Sequence, residues 1–168
     1  MTTKLTAGVV LLVALAIGSV AAGCSSTKSK AAQPRILRFL IVDRSFTPIG
    51  FGEKHVPAIG DRFLFTTSIY KSGVQPKRPS GTSVGRGESL CTVTAPGGAE
   101  LYCTGLLYLP RGHLVLSDAV RGNARVNTGA IVGGVGAYAT ARGTAEFTVL
   151  RRQPNGVETT ALVLRLTR

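Results

Sequence analysis

Few side chains in this sequence have types and spacings that could do chemistry, and the first is Cys24. It follows Ala21-Ala22-Gly23, and ahead of it stand Lys4 and an apolar run from Ala7 to Val20. A basic start, a hydrophobic segment and small residues at a cut site make a secretory signal. A thiol directly behind such a site is placed to take a diacylglyceryl group, as in the bacterial lipobox. The competing readings are an ordinary signal peptide and a retained membrane anchor. The apolar stretch up to Gly23 is at the short limit of the roughly 17–25 residues a spanning helix needs, and Gly8, Gly18 and Ser19 weaken it. Residues 1–23 are therefore read as a lipoprotein signal, 24–34 as a lipidated flexible tether, and 35–168 as the folded domain. The expected location is the extracytoplasmic face of the cell membrane.

The remaining cysteines, Cys91 and Cys103, lie symmetrically about Gly97 in the turn sequence Pro96-Gly97-Gly98. In an oxidising compartment an isolated pair is more often a disulfide than a metal site or a reactive thiol. A hairpin folding at that glycine would set the two opposite one another, with Cα atoms about 4.5 Å apart, within bridging reach. Only His55 and His113 could join them as metal ligands. Neither is near in sequence, both sit beside turns and read as exposed, and no metal is expected. The glycines Gly133, Gly134 and Gly136 invite comparison with a phosphate cradle. That would require a strand before and a helix after. The flanks read as β, so a tight bend or bulge is the better account.

The formal charge of +12 raises nucleic-acid binding. The positive residues are scattered, however, and form no dense run or recognisable motif. Attraction of Lys28, Lys30 and Arg35 to anionic headgroups beside the anchor fits better, and a plain solvated surface fits best. No nucleic-acid partner is expected.

Short strands must position whatever chemistry exists. Alternation and β-branched or aromatic enrichment mark them near 36–45, 62–70, 83–94, 100–109, 113–119, 141–150 and 158–166. Turn chemistry separates them, as at Pro110-Arg111-Gly112 and Pro154-Asn155-Gly156. A short helical turn is expected in Asn127–Val132. The pattern suggests a closed barrel or a sandwich.

The run Gly129-Ala130-Ile131-Val132-Gly133-Gly134-Val135-Gly136-Ala137-Tyr138, with Ala141-Arg142-Gly143 after it, resembles the Gly-Gly-x-Gly signature of allene oxide cyclases and dirigent proteins. Gly60-Asp61-Arg62-Phe63, Ile69-Tyr70, Val84-Gly85, Leu90-Cys91 and Pro110-Arg111-Gly112-His113 follow in the order seen in allene oxide cyclases. The resemblance covers about Ile36 to Arg168. It implies an eight-stranded antiparallel β-barrel, commonly trimeric, that holds a small hydrophobic molecule and guides its cyclisation or coupling without a cofactor. Aligned through Asp43-Arg44, it sets Arg38 where the cyclases carry a catalytic carboxylate, Leu40 and Thr67 at two water-holding asparagines, Cys91 at the pocket cysteine and Pro48 at a nearby proline. A permanently protonated guanidinium cannot replace an anion, which argues against allene oxide cyclase activity itself.

The same alignment turns Arg38, Leu40 and Val42 inward on the first strand and Phe63, Phe65, Thr67 and Ile69 inward on the second. With Cys91 inward, Ser89, Val93, Leu101, Cys103, Leu107 and Leu109 share the interior. Leu37, Phe39, Ile41, Leu64, Leu90 and Leu106 then face outward, where a homotrimer interface would cover them. Tyr138 and Arg142 complete the pocket candidates. Arg142 has a structural alternative, pairing with Asp43, Asp118 or Glu146, and Tyr138 has another, plain packing beside the glycine turn. Arg38 would face an anionic or carbonyl group of the ligand, or reach the mouth and stay solvated. Three readings follow: an envelope lipoprotein that binds a small hydrophobic molecule, a cofactor-free isomerase or cyclase, and an interaction module with a filled barrel. Replacement of the family's acid ranks binding first.

Overall fold

Eight strands in succession, their side chains pointing in turn to the interior and to the outside except at bulges, curl until the last meets the first. The computed structural model describes residues 34–52, 55–72, 81–154 and 157–167; the lipidation expected at Cys24 and the tether behind it fall outside this set. The strands are β1 (Arg35–Ile49), β2 (Arg62–Lys71), β3 (Gly85–Val93), β4 (Glu100–Leu109), β5 (Gly112–Arg121), β6 (Val126–Gly136), β7 (Arg142–Arg152) and β8 (Glu158–Thr167). All neighbours pair antiparallel in chain order, and β8 closes the barrel on β1. Closure leaves no edge strand whose backbone would need another partner. The helical turn expected at Asn127–Val132 does not form. Those residues belong to β6, whose backbone groups are taken up by β5 and β7 while Ile131 is buried in the interior.

Cys91 and Cys103 are direct register partners on β3 and β4, joined by a disulfide, and the chain reverses between them through a 3-10 turn at Pro96–Gly98. A thiol reagent applied to the folded protein is expected to label neither cysteine. Uptake of two labels without denaturant would show the bridge to be open.

Three bulges reset the alternation. The extra residues are Arg44 on β1, Val132 on β6 and Leu150 on β7. A bulge places two residues of one strand opposite one of its partner, so the side chains beyond it change phase. Beside Val132, the packing of Gly134 is tight: a Cβ there would stand 2.5 Å from the Tyr138 carbonyl and 2.6 Å from that of His113. The glycine signature thus serves a bend and a bulge, as its flanks suggested.

The interior is filled at one end only. Ile69, Leu107, Leu109, Leu114, Leu116, Ile131, Leu162, Leu164 and Leu166 form a continuous buried cluster with Tyr138, Ala141 and Ala145, and Leu37, Phe39 and Ile41 pack against it. Leu114, Leu162 and Leu164 have no exposed surface. Antiparallel order puts the start of β1 and the end of β8 at this filled end. The β1–β2, β3–β4, β5–β6 and β7–β8 connections all gather at the opposite end.

The phase of β1 differs from expectation. Ile41 pairs with Ile69 and Asp43 with Thr67, and residues opposed across an antiparallel pair share a face. Leu37, Phe39, Ile41 and Asp43 therefore point in, while Arg38, Leu40 and Val42 point out. Arg38 is exposed, and Leu40 is buried on the outer face between Tyr70 and Ala161. Apart from Arg38 the stretch Ile36–Val42 is apolar on both faces, so that one charge is all that alternation offers for choosing between them, and a shift of one residue exchanges the faces wholesale.

Candidate functional site

At the end away from the leucine cluster the barrel is hollow. The cavity has a volume of about 170 Å³, and its wall is built from every strand. It is smaller than the roughly 300–1,000 Å³ of drug-sized ligand sites, and close to the cavity of about 150 Å³ that holds benzene in an engineered protein. One ring, or two fused, matches its scale.

Gly87 lines the cavity, and a Cβ on it would lie 2.5 Å from the Thr67 hydroxyl oxygen. Two further glycines stand opposite lining residues. Gly105 faces in opposite Ser89, and a Cβ on it would lie 2.4 Å from the Ser89 hydroxyl oxygen. Gly129 faces Asp118, and a Cβ there would lie 2.6 Å from the Asp118 Cβ. Larger residues at either position would displace a polar side chain of the wall.

The lining is apolar at Ile41, Phe65, Leu101, Leu107, Leu116, Val120, Phe147 and Val149, with the Cys91–Cys103 bridge on one side. Hydroxyls enter from Thr67, Ser89 and Thr160, and carboxyls from Asp43, Asp118 and Glu158. Among the described residues no Lys, Arg or His side chain lines the cavity. Glu158 is held at the rim by Arg152, which also donates to the Gly122 carbonyl oxygen and so ties two hairpins together. Asn127 is occupied too, accepting the Arg121 N–H at 2.9 Å.

The two aspartates differ from that pair. Burial pushes the Asp118 carboxyl up to about 6. Burial also pushes Asp43 up to about 6; the Glu158 N–H, which donates to its Oδ2 at 3.2 Å, offsets part of this, and the Glu158 charge adds to it. Desolvation disfavours the ionised form of any carboxyl without a cation beside it. The site therefore holds two acids that titrate near neutrality in an apolar chamber. Groups of this kind can take or give a proton at physiological pH.

Aromatic rings form one side of the mouth. Because Arg44 is the bulged residue, Phe46 follows Asp43 on the interior face and pairs with Phe65. Its ring is stacked on Phe63 with centroids 4.6 Å apart and stands edge-on to Phe65 at 5.0 Å, yet Phe46 is 55% exposed. Phe51, from the β1–β2 connection, meets Phe63 edge-on at 5.2 Å. That connection is pinned by Asp61, which accepts from the Ala58 N–H at 2.7 Å and bonds His55. The Ala58 hydrogen bond holds the Asp61 carboxyl below its ordinary value, helped by His55.

Of the residues singled out from sequence, Phe65, Thr67, Ser89, Leu101 and Leu107 meet around this cavity. Phe63 points inward but is covered by Phe46 and Phe51. Arg38 and Leu40 are on the outer face, so no guanidinium faces a ligand. Tyr138 is buried with the leucines of the filled end. Arg142 is exposed and donates to the Ala141 carbonyl oxygen at 2.8 Å; it pairs with none of Asp43, Asp118 and Glu146, and Glu146 is instead bound by Arg165. His113 is not simply exposed either: its Nδ1 is buried without a hydrogen-bond partner, and its ring stands against Tyr108. The two aspartates were missed. Asp118 had a visible signal, since it continues the i, i+2 apolar series Leu114, Leu116, Val120 and is the one charge in it.

No protein-family model matches the chain, and no curated protein does. Solved structures do share its fold. A pterocarpan synthase dirigent protein superposes with a TM-score of 0.69 at 15% identity, over 83% of this chain and 97% of that one. A pyocyanin demethylase gives 0.59 at 20% identity, over 79% of this chain and all of the other. The Diels-Alderase AbmU from Streptomyces koyangensis gives 0.58 at 20% identity, over 79% of this chain and 64% of that one. At these identities the likeness is one of fold: the chain is an eight-stranded closed barrel of the architecture found in dirigent proteins and cyclase-type enzymes.

Proposed function

We propose that the hollow half of the barrel binds a small, largely apolar molecule and that Asp43 and Asp118 serve as general base and general acid for its isomerisation or cyclisation. The observation that carries this reading is the pair of carboxyls that project into a mostly apolar chamber with no cation beside them among the described residues. Desolvated acids are costly to fold around, and such groups concentrate where proton transfer is needed. The remaining wall would hold the molecule in a reactive conformation, which lowers the entropic part of the barrier. Arg38 was the reason to rank binding above catalysis. With Arg38 outside and Asp43 inside, that objection falls.

Native mass spectrometry of protein purified from its own host should retain a co-purified small molecule. Incubated with fresh protein, that molecule or its precursor should convert to an isomer of unchanged mass. Asp43→Asn or Asp118→Asn should slow conversion by roughly 10²- to 10⁴-fold. Conversion at the same rate in both variants would overturn the acid–base assignment. A bound molecule that never changes would reduce the protein to a binder.

The envelope setting belongs to the same proposal. A lipid on Cys24 would hold the barrel to the membrane by the segment that precedes Arg35, where β1 starts at the filled end. Cys24→Ser is expected to move the protein from the membrane to the soluble fraction. Persistence at the membrane would contradict lipid anchoring. Assembly into a homotrimer would cover the outward Leu64, Leu90 and Leu106, and a monomer by sedimentation would exclude it.

A further inference from the structure

We infer that the cavity selects a planar aromatic cation, or an aromatic base that becomes one on protonation, over neutral and anionic molecules of the same shape. The inference rests on the binding reading above and narrows it to a substrate class. The whole chain has 8 acidic residues against 20 Lys and Arg. Three of those acids, Asp43, Asp118 and Glu158, line this one cavity, Glu158 paired at the rim with Arg152, and among the described residues no basic side chain lines it. The inside of the barrel is therefore opposite in sign to its surface. An anion entering would meet carboxylates in a poorly solvating wall. A cation would supply the partner that Asp118 lacks.

Two further observations define the cation. Among the described residues no group of three His, Cys, Asp or Glu could hold a metal ion. The three carboxyls of the wall do not form such a group, and they suit a charge spread over an organic framework. The mouth adds a ring surface. Phe46 is more than half exposed while stacked on Phe63 and edge-on to Phe65. Ring faces attract cations, and flat faces favour flat ligands. The bulge at Arg44 is what brings Asp43 and Phe46 to the same face of β1, so one device supplies both the charge and the ring.

Three probes of nearly equal shape test this: 1-methylquinolinium, 1-methylnaphthalene and 1-naphthoate, titrated calorimetrically at pH 8 into the folded chain from Cys24 onward. The cation is expected to bind roughly 10- to 100-fold more tightly than the neutral ring, and naphthoate more weakly than either. The double variant Asp43→Asn with Asp118→Asn should keep its fold, as judged by circular dichroism, and lose most of the preference between cation and neutral ring. Phe46→Ala should weaken the cation several-fold and leave the order of the three unchanged. If the neutral ring binds as well as the cation, or naphthoate binds best, the inference fails and small-molecule binding stands. A preference that survives in the double variant also overturns it. If none of the three binds, the binding reading fails as well.

Discussion

Replacing Asp118 with Asn is expected to stabilise the fold by about 2 kcal/mol at pH 8 and to change it little at pH 4. The magnitude follows from the rise of its carboxyl from 3.8 to about 6, at about 1.4 kcal/mol per pH unit, reduced for partial exposure to solvent. An acid whose pKa is higher folded than unfolded binds more protons in the native state. Its stabilising contribution is therefore complete below about pH 4 and is lost as pH rises through about 6. Above that, the native state carries a desolvated carboxylate that the unfolded chain would hydrate, and an amide removes this cost. Asp43→Asn should act in the same direction and to a similar extent, because its carboxyl also rises to about 6 with the opposing Glu158 N–H hydrogen bond already included. Urea midpoints at the two pH values check the claim. An Asp118→Asn protein that is less stable at pH 8 would mean that the carboxylate has a partner after all.

Leu162→Ala should cost about 2–5 kcal/mol, the range for deleting a fully buried leucine side chain, whereas Leu101→Ala should cost less than half as much. Leu162 has no exposed surface and belongs to the cluster that fills one end of the barrel. Its truncation would open a void among Leu164, Ile69 and their neighbours, where packing has no slack. Leu101 is half-buried at the wall of the existing cavity. Shortening it enlarges a hollow already present and removes fewer contacts. Equal costs at both positions, measured by denaturant unfolding, would show that the barrel is packed alike at its two ends.

That contrast between ends could not be seen in the sequence, although the barrel itself could. Strands with alternating side chains, turns between them and the symmetry of Cys91 and Cys103 about Gly97 were legible because each is a local pattern. The inward phase of β2 followed from the resemblance, and that of β3 and β4 from placing Cys91 inward, because the disulfide puts Cys103 on the same face. The first strand offered one handle: from Ile36 to Val42 its faces are apolar except at Arg38, whose charge marks the outward face, and the resemblance pointed that face inward. The bulges at Arg44, Val132 and Leu150 are equally silent, because an extra residue is visible only against a paired strand. These failures hid Asp43. Asp118 was legible: its spacing sets it in phase with Leu114 and Leu116 and so points it inward, although it entered only as one of three structural partners for Arg142.

The carboxyl resonances of Asp43 and Asp118, followed by 13C NMR from pH 3 to pH 9 in the folded protein, put the account to its most direct trial. Two midpoints close to 6 are expected, with Asp118 returning to an undisturbed titration only when the barrel is unfolded. Midpoints near 3.8 for both would mean that water or a cation reaches these groups freely. The hollow end would then be an open vestibule with no chamber suited to proton transfer.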